Sequence, residues 1–155
     1  MILAYTNLCW VSDYAQFFVV DVAQHRFIEE ISPGEADFAR GYYVAPGGLA
    51  IFTLDSLSQV IRIVIHDVAP GAEEKELISG DSWTKTAEAE VFFPSGRFTI
   101  GGPTSPPGDY GPWFGTPSNR LAVRVSWLEY DGEQYNLLRS KPDVIKMDFW
   151  PPAIE

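Results

Sequence analysis

The chain is poor in the residues that most catalysis uses. A single cysteine, Cys9, occurs in 155 residues, so no internal disulfide can form, which agrees with a reducing compartment. Beside Trp10 in an apolar run, Cys9 reads as a core residue. There are two histidines, His25 and His66, and neither has zinc-ligand spacing to a second His or Cys. Bases are scarce too: 11 Lys and Arg against 21 acids give a formal charge of −10. Affinity for nucleic acid comes mainly from Lys and Arg neutralising phosphates, so direct nucleic-acid binding is not expected. No apolar run reaches the roughly 18 residues of a spanning helix, and the opening MILAYTNLCW has no basic stretch leading into an apolar one. The sequence therefore points away from membrane insertion and toward a cytoplasmic location. Repeats, low-complexity tracts and linkers are also missing, so residues 1–155 read as one domain.

What is present is apolar and aromatic. Hydrophobic residues make up 46% of the chain and aromatics 14%, too much for a disordered segment. The 13 Gly and 12 Pro fall between short apolar runs, which favours strands joined by turns. Strands are expected at Ile2 to Tyr5, Tyr14 to Val22, Leu49 to Leu54, Val60 to Asp67, Ser82 to Phe93, Phe98 to Ile100, Leu121 to Tyr130 and Asp143 to Trp150. Alternation places Ala87, Ala89, Val91 and Phe93 inward, with Glu88 and Glu90 toward solvent. In the last strand Ile145, Met147 and Phe149 face in, while Lys146 and Asp148 face out. Ser32 as N-cap, Pro33 at the first helical position and Glu35 completing a capping box open one short helix, which Gly41 ends. The expected fold is mostly β, an antiparallel β-sandwich of about eight strands with one short helix.

Catalytic constellations are thin. His66-Asp67 resembles a base with its orienting acid, but adjacent strand residues point to opposite faces, so His66 reads as a solvent-edge residue. Glu88 and Glu90 share a face at about 6–7 Å, near the range of a glycosidase pair, though they also fit the wet face of a strand. The acidic stretches AEEKE and EYDGE offer oxygens without the spaced ligands and glycine of a calcium loop. The Gly-rich segment from Gly101 to Gly108 carries prolines that remove the donors a phosphate cradle needs. No metal, cofactor or catalytic residue is expected, and the chain reads as a binding protein.

Recognition surface is the better prospect. Asp109, Tyr110, Trp113 and Phe114 lie in a long loop rich in Gly and Pro, where aromatics either anchor a partner or cap the core. Glu73, Glu74, Glu76, Asp81, Glu129, Asp131 and Glu133 lie in loops whose clustering would focus a negative field on a basic partner.

Four segments resemble the competence protein J (ComJ) family and related small bacterial proteins: DYAQFFVVD (Asp13 to Asp21), DFARGYYVAPGGLAIF (Asp37 to Phe52), VIRIVIHD (Val60 to Asp67) and DVIKMDFWPP (Asp143 to Pro152). The resemblance implies a β-sandwich that binds and inhibits a DNA-degrading nuclease. An immunity protein against a nuclease toxin would work by the same physics. The matching motifs are framework strands, so no inhibitory residue carries over. A carbohydrate-binding sandwich using Tyr110, Trp113 and Phe114 as a stacking platform is the alternative from another class. Hydrolysis by Glu88 and Glu90 is the enzymatic one.

Overall fold

A computed structural model describes residues 1–12, 14–24, 31–53, 58–71, 83–104, 112–129 and 142–154. Within them the chain forms β1 (Ile2–Val11), β2 (Gln16–Asp21), α1 (Glu35–Arg40), β3 (Tyr42–Ala45), β4 (Gly48–Phe52), β5 (Ser58–His66), β6 (Lys85–Phe92), β7 (Arg97–Gly101), β8 (Trp113–Gly115), β9 (Arg120–Leu128) and β10 (Asp143–Trp150). Ten strands thus replace the eight expected. The additional two are β3, a four-residue apolar segment against the helix end, and β8, three residues inside the segment read as loop. β1 also runs six residues beyond Tyr5, to Val11.

The strands form two five-stranded sheets, ordered β1-β5-β10-β9-β6 and β3-β4-β2-β7-β8. All pairs with a resolved register are antiparallel except β10 with β5, which run parallel. The parallel register sets Ile61, Ile63 and Ile65 beside Ile145, Met147 and Phe149. These six side chains are almost wholly buried. Central strands covered on both faces need not alternate, and all eight residues of β10 are buried. Lys146 and Asp148 therefore do not face solvent as their polarity suggested.

Compactness divides the chain into two units, Met1–Val11, Leu57–Ala89 and Leu121–Glu155 in the first and Ser12–Ser56 and Glu90–Arg120 in the second. In the second unit β2 is buried along nearly its whole length. Phe17 and Val19 pair with Ile51 and Leu49, while Phe18 and Val20 join Ala45, Ala50 and Phe52 in a cluster that Ile31 and Tyr43 cover. α1 adds Phe38, whose ring lies 4.5 Å from that of Phe52. The helix begins two residues later than expected. Gly34, not Ser32, is its N-cap, because Asp37 Oδ2 accepts the Gly34 backbone N–H at 2.8 Å. Gly41 ends it as expected, at φ 94°, where an L side chain is strained. Pro46 and Gly47 (φ 83°) make the two-residue turn between β3 and β4.

Candidate functional site

The sequence candidates separate into three places. Glu73, Glu74, Glu76, Asp81, Asp109, Tyr110, Asp131 and Glu133 lie outside the described residues, as does His25. Trp113, Phe114 and Glu129 lie within them. Glu129 is half-buried, and its backbone N–H donates to Thr84 Oγ1 at 3.0 Å.

Trp113 and Phe114 are neighbours on β8, at the edge of the second sheet, and strand alternation sends them to opposite sides. Phe114 stacks on Phe98 at 5.1 Å, and Phe98 stacks on Phe93 at 5.0 Å, so Phe114 extends an aromatic column into the core. Trp113 remains 55% exposed, with the Arg97 guanidinium 5.5 Å from its ring centre. A cation on one ring face leaves a large, rigid apolar surface held in place. β8, which presents it, is held at both ends: Thr99 Oγ1 donates to the Pro112 carbonyl at 3.1 Å and Thr116 N–H to the Gly96 carbonyl at 3.0 Å. In the same unit, buried Asp21 accepts hydrogen bonds from Ser95 N–H (2.7 Å), Ser95 Oγ (2.9 Å) and Ala23 N–H (2.8 Å). Phe114 thus turns to the core and Trp113 to solvent.

A shallow groove of about 340 Å³ in the second unit is lined by Val44, Pro46, Glu90, Phe92 and Arg120 among others. Phe92 is exposed on it. The two glutamates weighed as a hydrolytic pair each meet an arginine of β9. Arg120 grips Glu90 Oε2 through Nε and Nη2 (3.0 and 2.7 Å), and Arg124 Nε reaches Glu88 Oε1 at 2.9 Å. One oxygen of each glutamate is held in a cross-strand ion pair, the arrangement of a solvated sheet face.

The residue that sequence reasoning placed least well is His66. It is 2% exposed, and its Nε2 lies 2.8 Å from Asp148 Oδ1. Lys146 Nζ lies 3.2 Å from the other oxygen of the same carboxylate, and Lys146 is as deeply buried. A buried Lys or Asp is tolerated when paired and hydrogen-bonded, and this cluster satisfies that condition. His66 thus has an orienting acid, Asp148 rather than Asp67, but a general base must reach a substrate, and this one is sealed. The parallel register, which sets Asp148 beside Val64, is what brings β10 to His66; local sequence carries no sign of it. Cys9 departs from expectation in the opposite sense, being exposed on β1.

Among the described residues, no three of His, Cys, Asp and Glu lie together as a metal site, and no helix is long and apolar enough to cross a membrane.

No protein-family model and no curated protein matches the sequence. Solved structures do. ComJ from Bacillus subtilis, an inhibitor of the DNA degrading activity of NucA, aligns at a TM-score of 0.66 and 14% identity over 98% of this chain and 99% of its own. The protein described as crocagin biosynthetic gene J aligns at 0.58 and 14%, over 97% and 98% of the two chains. The chain therefore has a ComJ-like fold, mostly β, shared over almost its full length.

Proposed function

We propose that this chain is a non-catalytic binding protein that inhibits a DNA-degrading nuclease or nuclease toxin by occupying its basic surface. The single observation that carries the reading is the likeness to ComJ over 98% of the chain, since ComJ inhibits the DNA degrading activity of NucA. The single β-sandwich domain expected from the sequence belongs to the same proposal. Charge and surface agree with it. A nuclease active site attracts polyanions, and a chain of net charge −10 is drawn to the same field. Trp113 supplies a rigid aromatic anchor of the kind that dominates binding energy at interfaces. Glu73, Glu74, Glu76, Asp109, Tyr110, Phe114, Glu129, Asp131 and Glu133 complete the proposed contact set. The sugar-stacking alternative is weakened because Phe114 turns to Phe98 and does not share a platform with Trp113.

The test is capture from cells of the native source on the immobilised chain, followed by DNA-cleavage assays of what is captured. A nuclease that is inhibited one-to-one, with an association rate that falls steeply as salt is added, is the expected result. Capture of glycan, or cleavage by the chain itself, would replace the proposal.

A further inference from the structure

Edge strands in natural proteins are kept from pairing by brevity, charge, proline or bulges. Three of the four sheet edges here obey that rule. β3 has four residues, β8 has three, and β6 carries Lys85, Glu88 and Glu90. The fourth, β1, does not. Its ten residues, ILAYTNLCWV, include no charge and no proline, and the first charged side chain in the sequence is Asp13.

Among the described residues β1 pairs with β5 alone, and its other edge is open. A register shift falls between Ile2 and Ala4, but from Ala4 to Val11 the strand runs unbroken against Ile65 to Ser58. It is therefore straight ladder for roughly 27 Å at the usual rise of a strand. Ile2, Leu3, Tyr5 and Val11 are 48% to 60% exposed. Tyr5, Asn7, Cys9 and Val11 share one exposed face, so apolar surface and an open hydrogen-bonding edge coincide.

We infer that β1 is the seam of a homodimer, pairing antiparallel with β1 of a second copy. Charge selects this occupant. Each copy carries −10, so two copies repel except across a surface free of acids, and β1 is such a surface. In an antiparallel two-fold pair the strand faces its own sequence, so any charge near the centre would meet its like. A basic partner of the kind proposed above would seek acids, and β1 has none. Pairing through β1 closes at two copies, because the edges left over are the short or charged ones. The inference stands independently of the nuclease reading.

Sedimentation velocity of the full chain between about 1 and 100 μM tests it, a range in which a micromolar pair assembles. The expected mass at the top of the range is twice the 17.3 kDa of one chain. Tyr5→Lys with Val11→Lys, at two exposed positions, should raise the dimer dissociation constant at least about tenfold with unchanged circular dichroism, as expected for like charges facing across a strand pair. A wild-type chain that stays at 17.3 kDa throughout, or a dimer that survives the double substitution unweakened, overturns the inference. Should the variant not fold, hydrogen exchange on the wild type decides. Amides of β1 must gain protection as concentration rises, and protection independent of concentration means no seam.

Discussion

Replacing Asp148 with alanine removes the carboxylate that Lys146 Nζ and His66 Nε2 share at 3.2 and 2.8 Å. All three residues are buried, so the groups left behind stay away from bulk solvent. Breaking a buried ion pair by deleting one member costs about 3–5 kcal/mol, because the other charge stays in a low-dielectric site. That is a large part of the roughly 5–15 kcal/mol that holds a domain together. With a urea slope of about 2 kcal/mol per molar, the unfolding midpoint should fall by roughly 1.5–2.5 M. Asp148→Asn keeps the volume and one acceptor, and should lose less, about 1–3 kcal/mol. Replacing both charges, Lys146→Met with Asp148→Leu, should recover much of the Asp148→Ala loss, since an apolar pair needs no compensating charge. Urea denaturation followed by Trp fluorescence reads all three. An Asp148→Ala midpoint within about 0.3 M of wild type would refute the argument that this carboxylate compensates buried charge.

Asp21→Ala should cost about 2–4 kcal/mol by the same assay, because it removes a buried acceptor of three hydrogen bonds that ties the end of β2 to the turn leading into β7. Gly41→Ala should cost about 1–2 kcal/mol, since alanine must adopt φ 94° to let its N–H reach the Asp37 carbonyl; an unchanged midpoint would mean the helix end has another solution. Trp113→Ala should leave stability nearly untouched but weaken partner binding about 30-fold, equivalent to about 2 kcal/mol at an interface anchor. Asp67 is held below its ordinary carboxylate range by the hydrogen bond from the N-terminal ammonium, 2.6 Å from Oδ1. A depressed folded-state pKa contributes stability that is complete above the unfolded value and is lost as pH falls through the folded one. The stability difference between wild type and Asp67→Asn should accordingly shrink toward zero on acidification and hold steady above the carboxylate range.

Strand content was legible because alternation is local. Leu121, Val123, Val125 and Trp127 declare one buried face without reference to any other segment, and all four are buried. β3 and β8 were not, since four apolar residues beside a helix end and three residues amid Pro and Gly carry too few positions for a period to show. Pairing was hidden altogether. Nothing near Val144 to Trp150 says that the strand runs parallel to β5, and only that register turns Lys146 and Asp148 from an apparent wet face into a buried pair with His66. The same limit explains Cys9: its apolar neighbours are those of a core strand, but β1 is an edge. For the candidate site, Trp113 was legible as an aromatic that either meets solvent or caps the core. The division of labour between it and Phe114 was not, because it depends on Phe98, which β7 brings across from outside the loop.

In the proposed function the chain binds and silences a DNA-degrading nuclease without doing chemistry itself. Titrating it into the nuclease captured from its native source, with cleavage of a fluorescent DNA duplex as readout, tests that claim directly. Cleavage should fall linearly and reach zero at one equivalent of chain, with Trp113→Ala shifting the titration to higher concentration. Full cleavage in the presence of excess wild-type chain, or cleavage by the chain alone, would contradict it.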